Sequence, residues 1–91
     1  MATIDISRTH TLGLEKAREC AEAVAKRLEA RMEAKWRWIG DEIVFERIGA
    51  KGRIAVTATT VHVEIDLSLV LRPLKGKLVQ KTNQYLDEYV K

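Results

Sequence analysis

Val61–Leu71 reads VHVEIDLSLVL, and this stretch decides the fold. Val61, Val63, Ile65, Leu67, Leu69 and Leu71 alternate with His62, Glu64, Asp66 and Ser68, the period of a strand with one buried face. At ~3.3 Å per residue such a strand spans about 35 Å, longer than most.

Working back from it, three turns divide the preceding sequence into hairpins. Gly40–Asp41 permits a two-residue turn that sets Ile39 against Glu42, Trp38 against Ile43 and Trp36 against Phe45. Gly49-Ala50-Lys51-Gly52 reads as a four-residue turn. It pairs Ile48 with Arg53, Phe45 with Val56 and Ile43 with Ala58. A turn at Thr59–Thr60 pairs Ala58 with Val61, Val56 with Val63 and Ile54 with Ile65. All three registers put the large apolar side chains on one face, and a one-residue slip anywhere would undo that agreement. The other face is mainly polar, with Lys35–Glu46, Arg53–Asp66 and Thr57–His62 as neighbours and Glu64 beside Ala55. Ile39, Val44, Ile48 and Val70 interrupt it.

Two helices complete the pattern. Leu14, Ala17, Ala21, Val24, Leu28 and Met32 form an apolar stripe on a helix over residues 12–34, with Thr11 as its N-cap. After Leu71, Pro73 fits the first turn of a second helix over residues 74–90, whose apolar positions include Leu74, Leu78, Tyr85, Leu86 and Val90. Thr3–Thr9 is a short first strand, placed beside the Val61 strand and not beside the Trp36 strand. The expected fold is therefore α+β, ordered β-α-β-β-β-β-α: a five-stranded antiparallel sheet with two helices on one face, residues 1–91 forming one domain.

Composition narrows the function classes. The chain is 46% hydrophobic and 32% charged, with no apolar run near the ~18 residues of a membrane span and no signal-peptide core in MATIDISRTH. A cytoplasmic location is the expectation, and the single Cys20 agrees with it. The net charge of +3 comes entirely from residues 72–91, where Arg72, Lys75, Lys77, Lys81 and Lys91 face only Asp87 and Glu88. That patch falls short of the density that nucleic-acid binding requires.

No constellation points to catalysis. His62 shares a face with Glu64 and Asp66, but strand residues two apart are ~6.5 Å apart and need a third ligand to hold an ion. His10, in THTLG, suits a capping or turn role. Cys20 has no nucleophile pattern around it and reads as a partly buried filler. No metal, no cofactor and no enzymatic activity is expected. The candidate binding residues are Arg72, Leu74, Lys75, Lys77 and Lys81, which set cations and exposed apolar groups beside a helix N-terminus. Trp36 and Trp38 are a further candidate, as an aromatic platform or as the entrance to an acyl-ligand space between helices and sheet.

The ordered set His10-Thr11-Leu12-Gly13-Leu14 and Ala17, Trp38 with Gly40-Asp41, Phe45-Glu46, Gly49 with Gly52, Val61, Val63 and Glu64, Leu69 to Leu71, Pro73, Lys75-Gly76-Lys77 and Leu86-Asp87 resembles the polyhydroxyalkanoic acid system proteins, the polyhydroxyalkanoate granule-region family. The resemblance spans nearly the whole chain. It implies a bacterial protein of about this size linked to polyhydroxyalkanoate metabolism, with no established activity, and it brings no catalytic residues. A non-enzymatic accessory protein of polyester storage, associated with the granule, is the expected role. The expected partners are the granule or a granule-associated protein, an acyl ligand being the alternative, with a homodimer through the open sheet face or a sheet edge.

Overall fold

The computed structural model describes residues 3–90, so Lys91, counted in the basic excess, lies outside the described residues. The strands are β1 (Ile4–Thr9), β2 (Lys35–Ile39), β3 (Glu42–Arg47), β4 (Ala50–Val56) and β5 (Thr60–Leu67). The helices are α1 (Leu14–Met32) and α2 (Lys75–Tyr89), the latter entered through a 3-10 turn at Arg72–Leu74. All strand pairs are antiparallel, in the order β1-β5-β4-β3-β2. The α+β fold and its β-α-β-β-β-β-α order are as expected, and β1 does lie beside β5.

One sheet face carries the core. Ile43, Ile54, Val61, Val63 and Ile65 are fully buried there beneath Ala17, Ala21, Val24 and Leu28 of α1 and Leu86 of α2. The alanines let α1 lie close to the strands, because they bring little side-chain volume between helix axis and sheet. Arg8 ties β1 to α2, donating to Asn83 Oδ1 at 2.8 Å and pairing with Asp87.

The first hairpin has the expected register, with Trp36 opposite Phe45 and Trp38 opposite Ile43. The next two do not. β3 turns into β4 across Ile48–Gly49 alone, so Arg47 faces Ala50, Phe45 faces Gly52 and Ile43 faces Ile54. Gly49 takes φ +88, which reverses the chain at once and releases Ala50–Gly52 into the ladder. Gly52 is thus not a turn residue. It is the slot beneath the Phe45 ring, where a Cβ would lie 2.6 Å from Cε2 and 2.9 Å from the Glu64 carbonyl oxygen.

The third turn also differs. Thr57 Oγ1 accepts from the Thr59 and Thr60 amides at 3.2 and 2.9 Å and pulls the chain round early. Val56 therefore faces Val61 and Ile54 faces Val63, while Ala58 is exposed in the turn. On the polar face Arg53 meets Glu64, not Asp66, and His62 meets Ala55, not Thr57. Both displacements are even, four residues and then two, so every side chain keeps its face.

β5 ends four residues before the expected Leu71. Its neighbour β4 begins at Ala50, opposite Leu67, and past that point no strand offers a ladder. Ser68 donates its amide to the Gly49 carbonyl at 2.8 Å, then accepts from the Leu71 and Arg72 amides, and the chain turns. Leu69, expected in the core, is 78% exposed.

The helices are shorter than the apolar pattern suggested. Gly13, not Thr11, is the N-cap of α1, and Leu14 is exposed. His10 does close the preceding turn, accepting from the Leu12 amide at Nδ1 at 3.1 Å. At the other end Glu33 takes a left-handed conformation and its amide bonds Glu29. That residue stops the helix and frees Ala34 to be buried ahead of β2. No helix among the described residues is long and apolar enough to cross a membrane.

Candidate functional site

The Ile48–Gly49 turn and the Ser68–Leu71 turn meet at one end of the sheet. The amide-to-carbonyl bond between Ser68 and Gly49 joins them, and a Cβ added to Gly49 would sit 2.9 Å from Leu71 Cδ1. On this paired tip Ile48 is 93%, Val70 84% and Leu69 78% exposed, the three most exposed large apolar residues among those described. Leu74, in the 3-10 turn that follows, is also exposed. Clustering of this kind is unlike the single apolar residues scattered over ordinary surfaces.

Cations flank the tip. Arg47 precedes Ile48, Arg72 follows Leu71, and Lys75 and Lys77 stand in the first turn of α2. Among the described residues none of these four lies within ion-pairing distance of a carboxylate. Arg47 is instead held by backbone, donating from Nη1 to the Met32 carbonyl at 2.9 Å and from Nε to its neighbour Ile48 at 3.1 Å. First-turn lysines oppose the α2 dipole, so the helix does not gain from them.

Of the residues singled out in the sequence, Arg72, Leu74, Lys75 and Lys77 come together here, exposed, while Lys81 stands further along α2 and is half-buried. Trp36 and Trp38 stand apart on β2, the edge strand, half-buried against the core. The Trp38 ring is covered by Arg18, whose Cζ lies 4.1 Å from the ring centroid while its Nη1 bonds Asp41 at 2.6 Å and the Gly40 carbonyl at 3.1 Å. A ligand stacking on Trp38 would have to displace that cation. Sequence reasoning missed Leu69 and placed Ile48 and Val70 only as interruptions of the polar face. The available signal was the run Leu69-Val70-Leu71, which breaks the alternation directly before Arg72-Pro73.

The polar sheet face holds a second cluster. The His62–Glu64 pair does acquire a third potential ligand, because β1 pairs Asp5 directly with Glu64. Donor atoms of Asp5, His62 and Glu64 lie within 4.8 Å of one another. However, Arg53 Nη2 sits 2.9 Å from Glu64 and Nη1 3.3 Å from Glu42. The hydrogen bond to Glu64, with the charges of Glu64 and Glu42, pushes the Arg53 guanidinium above its ordinary value. A permanent cation thus already occupies the Glu64 carboxylate and opposes a second one there. The cluster is a solvent-facing ion-pair network of modest worth.

Cys20 is half-buried and donates its thiol to the Tyr89 carbonyl at 3.0 Å, holding α1 to the end of α2. Burial, with Glu19 adding to it, pushes the thiol upward. A thiol so placed is a weak nucleophile at neutral pH.

Fold and tip together describe a small helix-over-sheet protein with an apolar, cation-flanked end. Residues 4–90 match the family described as "Putative polyhydroxyalkanoic acid system protein", and the chain belongs to that family. No curated relative and no solved structure matches the chain. The family description places the chain in the polyhydroxyalkanoate system and does not name an enzyme.

Proposed function

We propose that this chain is a non-enzymatic accessory protein of polyester storage that adsorbs to the granule surface, tip first. The observation that carries the reading is the tip itself, with Ile48, Leu69 and Val70 fully presented to solvent beside cations that have no carboxylate partner. Burial of exposed aliphatic side chains supplies attraction to an apolar polymer, at ~1.5–3 kcal/mol for each side chain fully buried. Arg47, Arg72, Lys75 and Lys77 supply attraction to anionic groups of a protein or lipid coat. Ile48, Leu69 and Val70 lie outside the core, and Arg72, Lys75 and Lys77 have no carboxylate partner among the described residues, so these groups are available for a partner.

Co-sedimentation with native granules tests the reading. Wild-type protein pellets with granules, and raising salt weakens but does not abolish the association, since the apolar part is not screened. A Lys75→Glu/Lys77→Glu/Lys81→Glu variant pellets less at low salt. Protein that stays in the supernatant at all granule concentrations, or a charge-reversed variant that behaves like wild type, contradicts the proposal.

A further inference from the structure

Beside the tip, a cavity of about 400 Å³ opens between the last turn of α1, the end of β5 and the start of α2. Its volume falls in the range of small-molecule sites, which run from about 300 Å³ upward. Met32, Leu67, Leu71, Leu74 and Leu78 give it an apolar lining. Its charged lining is of one sign: Arg31 from α1, Arg47 from β3 and Lys77 from α2 line it, and among the described residues no carboxylate does. Among the described residues none of the three forms an ion pair elsewhere. Three like charges around a small apolar space repel one another, and an anion seated among them relieves that repulsion.

We infer that this cavity binds a single medium-chain carboxylate, the alkyl chain along the leucines and the carboxylate among Arg31, Arg47 and Lys77. Charge complementarity selects the head and the apolar lining selects the tail. Arg47 is the pre-set donor, since the Met32 and Ile48 carbonyls already fix its guanidinium. This goes beyond adsorption at a surface: it is a stoichiometric site for a monomeric amphiphile, and Ile48, Leu69 and Val70 do not line it.

The test is a titration of the whole protein with sodium octanoate below micellisation, followed by methyl NMR and a thermal melt. Saturable shifts are expected at Met32, Leu67, Leu71, Leu74 and Leu78, with a rise in melting temperature. Affinity should grow by up to about fourfold per methylene from hexanoate to octanoate. Arg31→Glu/Lys77→Glu, both at exposed positions, should weaken octanoate about tenfold while 1-octanol changes little. Ala30→Trp, also at an exposed lining position, should block both ligands. Absence of saturable shifts at these methyls overturns the inference, as does equal weakening of octanoate and octanol by charge reversal. Should Ala30→Trp fail to fold, the charge-reversed pair decides alone. A wild-type protein that pellets with granules yet ignores octanoate defeats this site and leaves the surface reading standing. The converse result does the opposite.

Discussion

Replacing Gly52 by alanine tests the corrected register of the sheet. Gly52 is a strand residue directly opposite Phe45, whose side chain is only 3% exposed and cannot swing away. A Cβ there would approach Phe45 Cε2 to 2.6 Å and the Glu64 carbonyl to 2.9 Å, both closer than van der Waals contact. The ring can tilt only by pushing on its core neighbours, and the carbonyl belongs to β5, an internal strand paired on both sides. Overpacking of this kind costs about 1–3 kcal/mol. Two contacts, one of them to backbone, place Gly52→Ala at the upper end. For a domain of this length that is a loss of roughly 10–20 °C in melting temperature, at about 4–8 °C per kcal/mol. The assay is a thermal melt followed by circular dichroism, with Phe45→Leu and the double variant completing a cycle. Phe45→Leu removes the ring atoms nearest the new Cβ, so the double variant should lose clearly less than the two single losses added together. If Gly52 lay instead in a four-residue turn, alanine there would be tolerated. A melting temperature within about 2 °C of wild type, under the same scaling, would refute the register.

Other consequences follow from single contacts. Gly49→Ala should destabilise and loosen the tip, because it combines a left-handed φ of +88 with a Cβ 2.9 Å from Leu71; hydrogen exchange at the Ser68 amide should quicken. Arg18→Ala should uncover Trp38, shifting tryptophan emission to the red and raising acrylamide quenching, at a stability cost near ~1 kcal/mol. The Cys20 thiol should react with iodoacetamide more slowly than an unstructured thiol at pH 8, its rate still climbing above pH 9.0. Its raised folded-state value also fixes a sign. The thiol's contribution to stability is fully present below the unfolded-state value and is lost as pH rises through the folded-state one, and Cys20→Ala should remove that alkaline slope.

Which face each strand buries was readable in the sequence because face is a matter of parity. Turn spacing alone assigns two hairpins the wrong partners, yet it keeps Ile43, Ile54, Val63 and Ile65 on the core side, since displacements of four and two leave alternation intact. Register itself was not readable, because it depended on what two residue types were doing. Gly52 looked like half of a turn and is a slot for the Phe45 ring, and Thr57 bends the chain through its own hydroxyl. Neither the ring-over-glycine contact nor the hydroxyl bond has a one-dimensional signature. The length of β5 failed for a related reason. Leu69 and Leu71 continue the apolar period, but a strand lasts only as long as its neighbour, and β4 stops opposite Leu67.

The site was legible where it is local in sequence and hidden where it is assembled. Arg72, Leu74, Lys75 and Lys77 lie within six residues and announce themselves by charge. Ile48 and Arg47 join Leu69 and Val70 only because the two-residue turn at Ile48–Gly49 brings the third strand's end against the fifth's. Arg31 reaches the adjoining cavity only through the packing of α1. The tight Ile48–Gly49 turn is thus also what turns a basic segment into an apolar tip with a cationic border.

That tip is the central claim, and the most direct measurement is granule co-sedimentation of Ile48→Ser/Leu69→Ser/Val70→Ser beside wild type. All three positions are at least 78% exposed, so the melt should be unchanged. Losing even partial burial of three aliphatic side chains should cost ~3 kcal/mol of adsorption, on the order of a hundredfold in affinity. Wild-type protein in the pellet with the folded triple variant in the supernatant is the predicted result. Equal pelleting of the two would contradict the account.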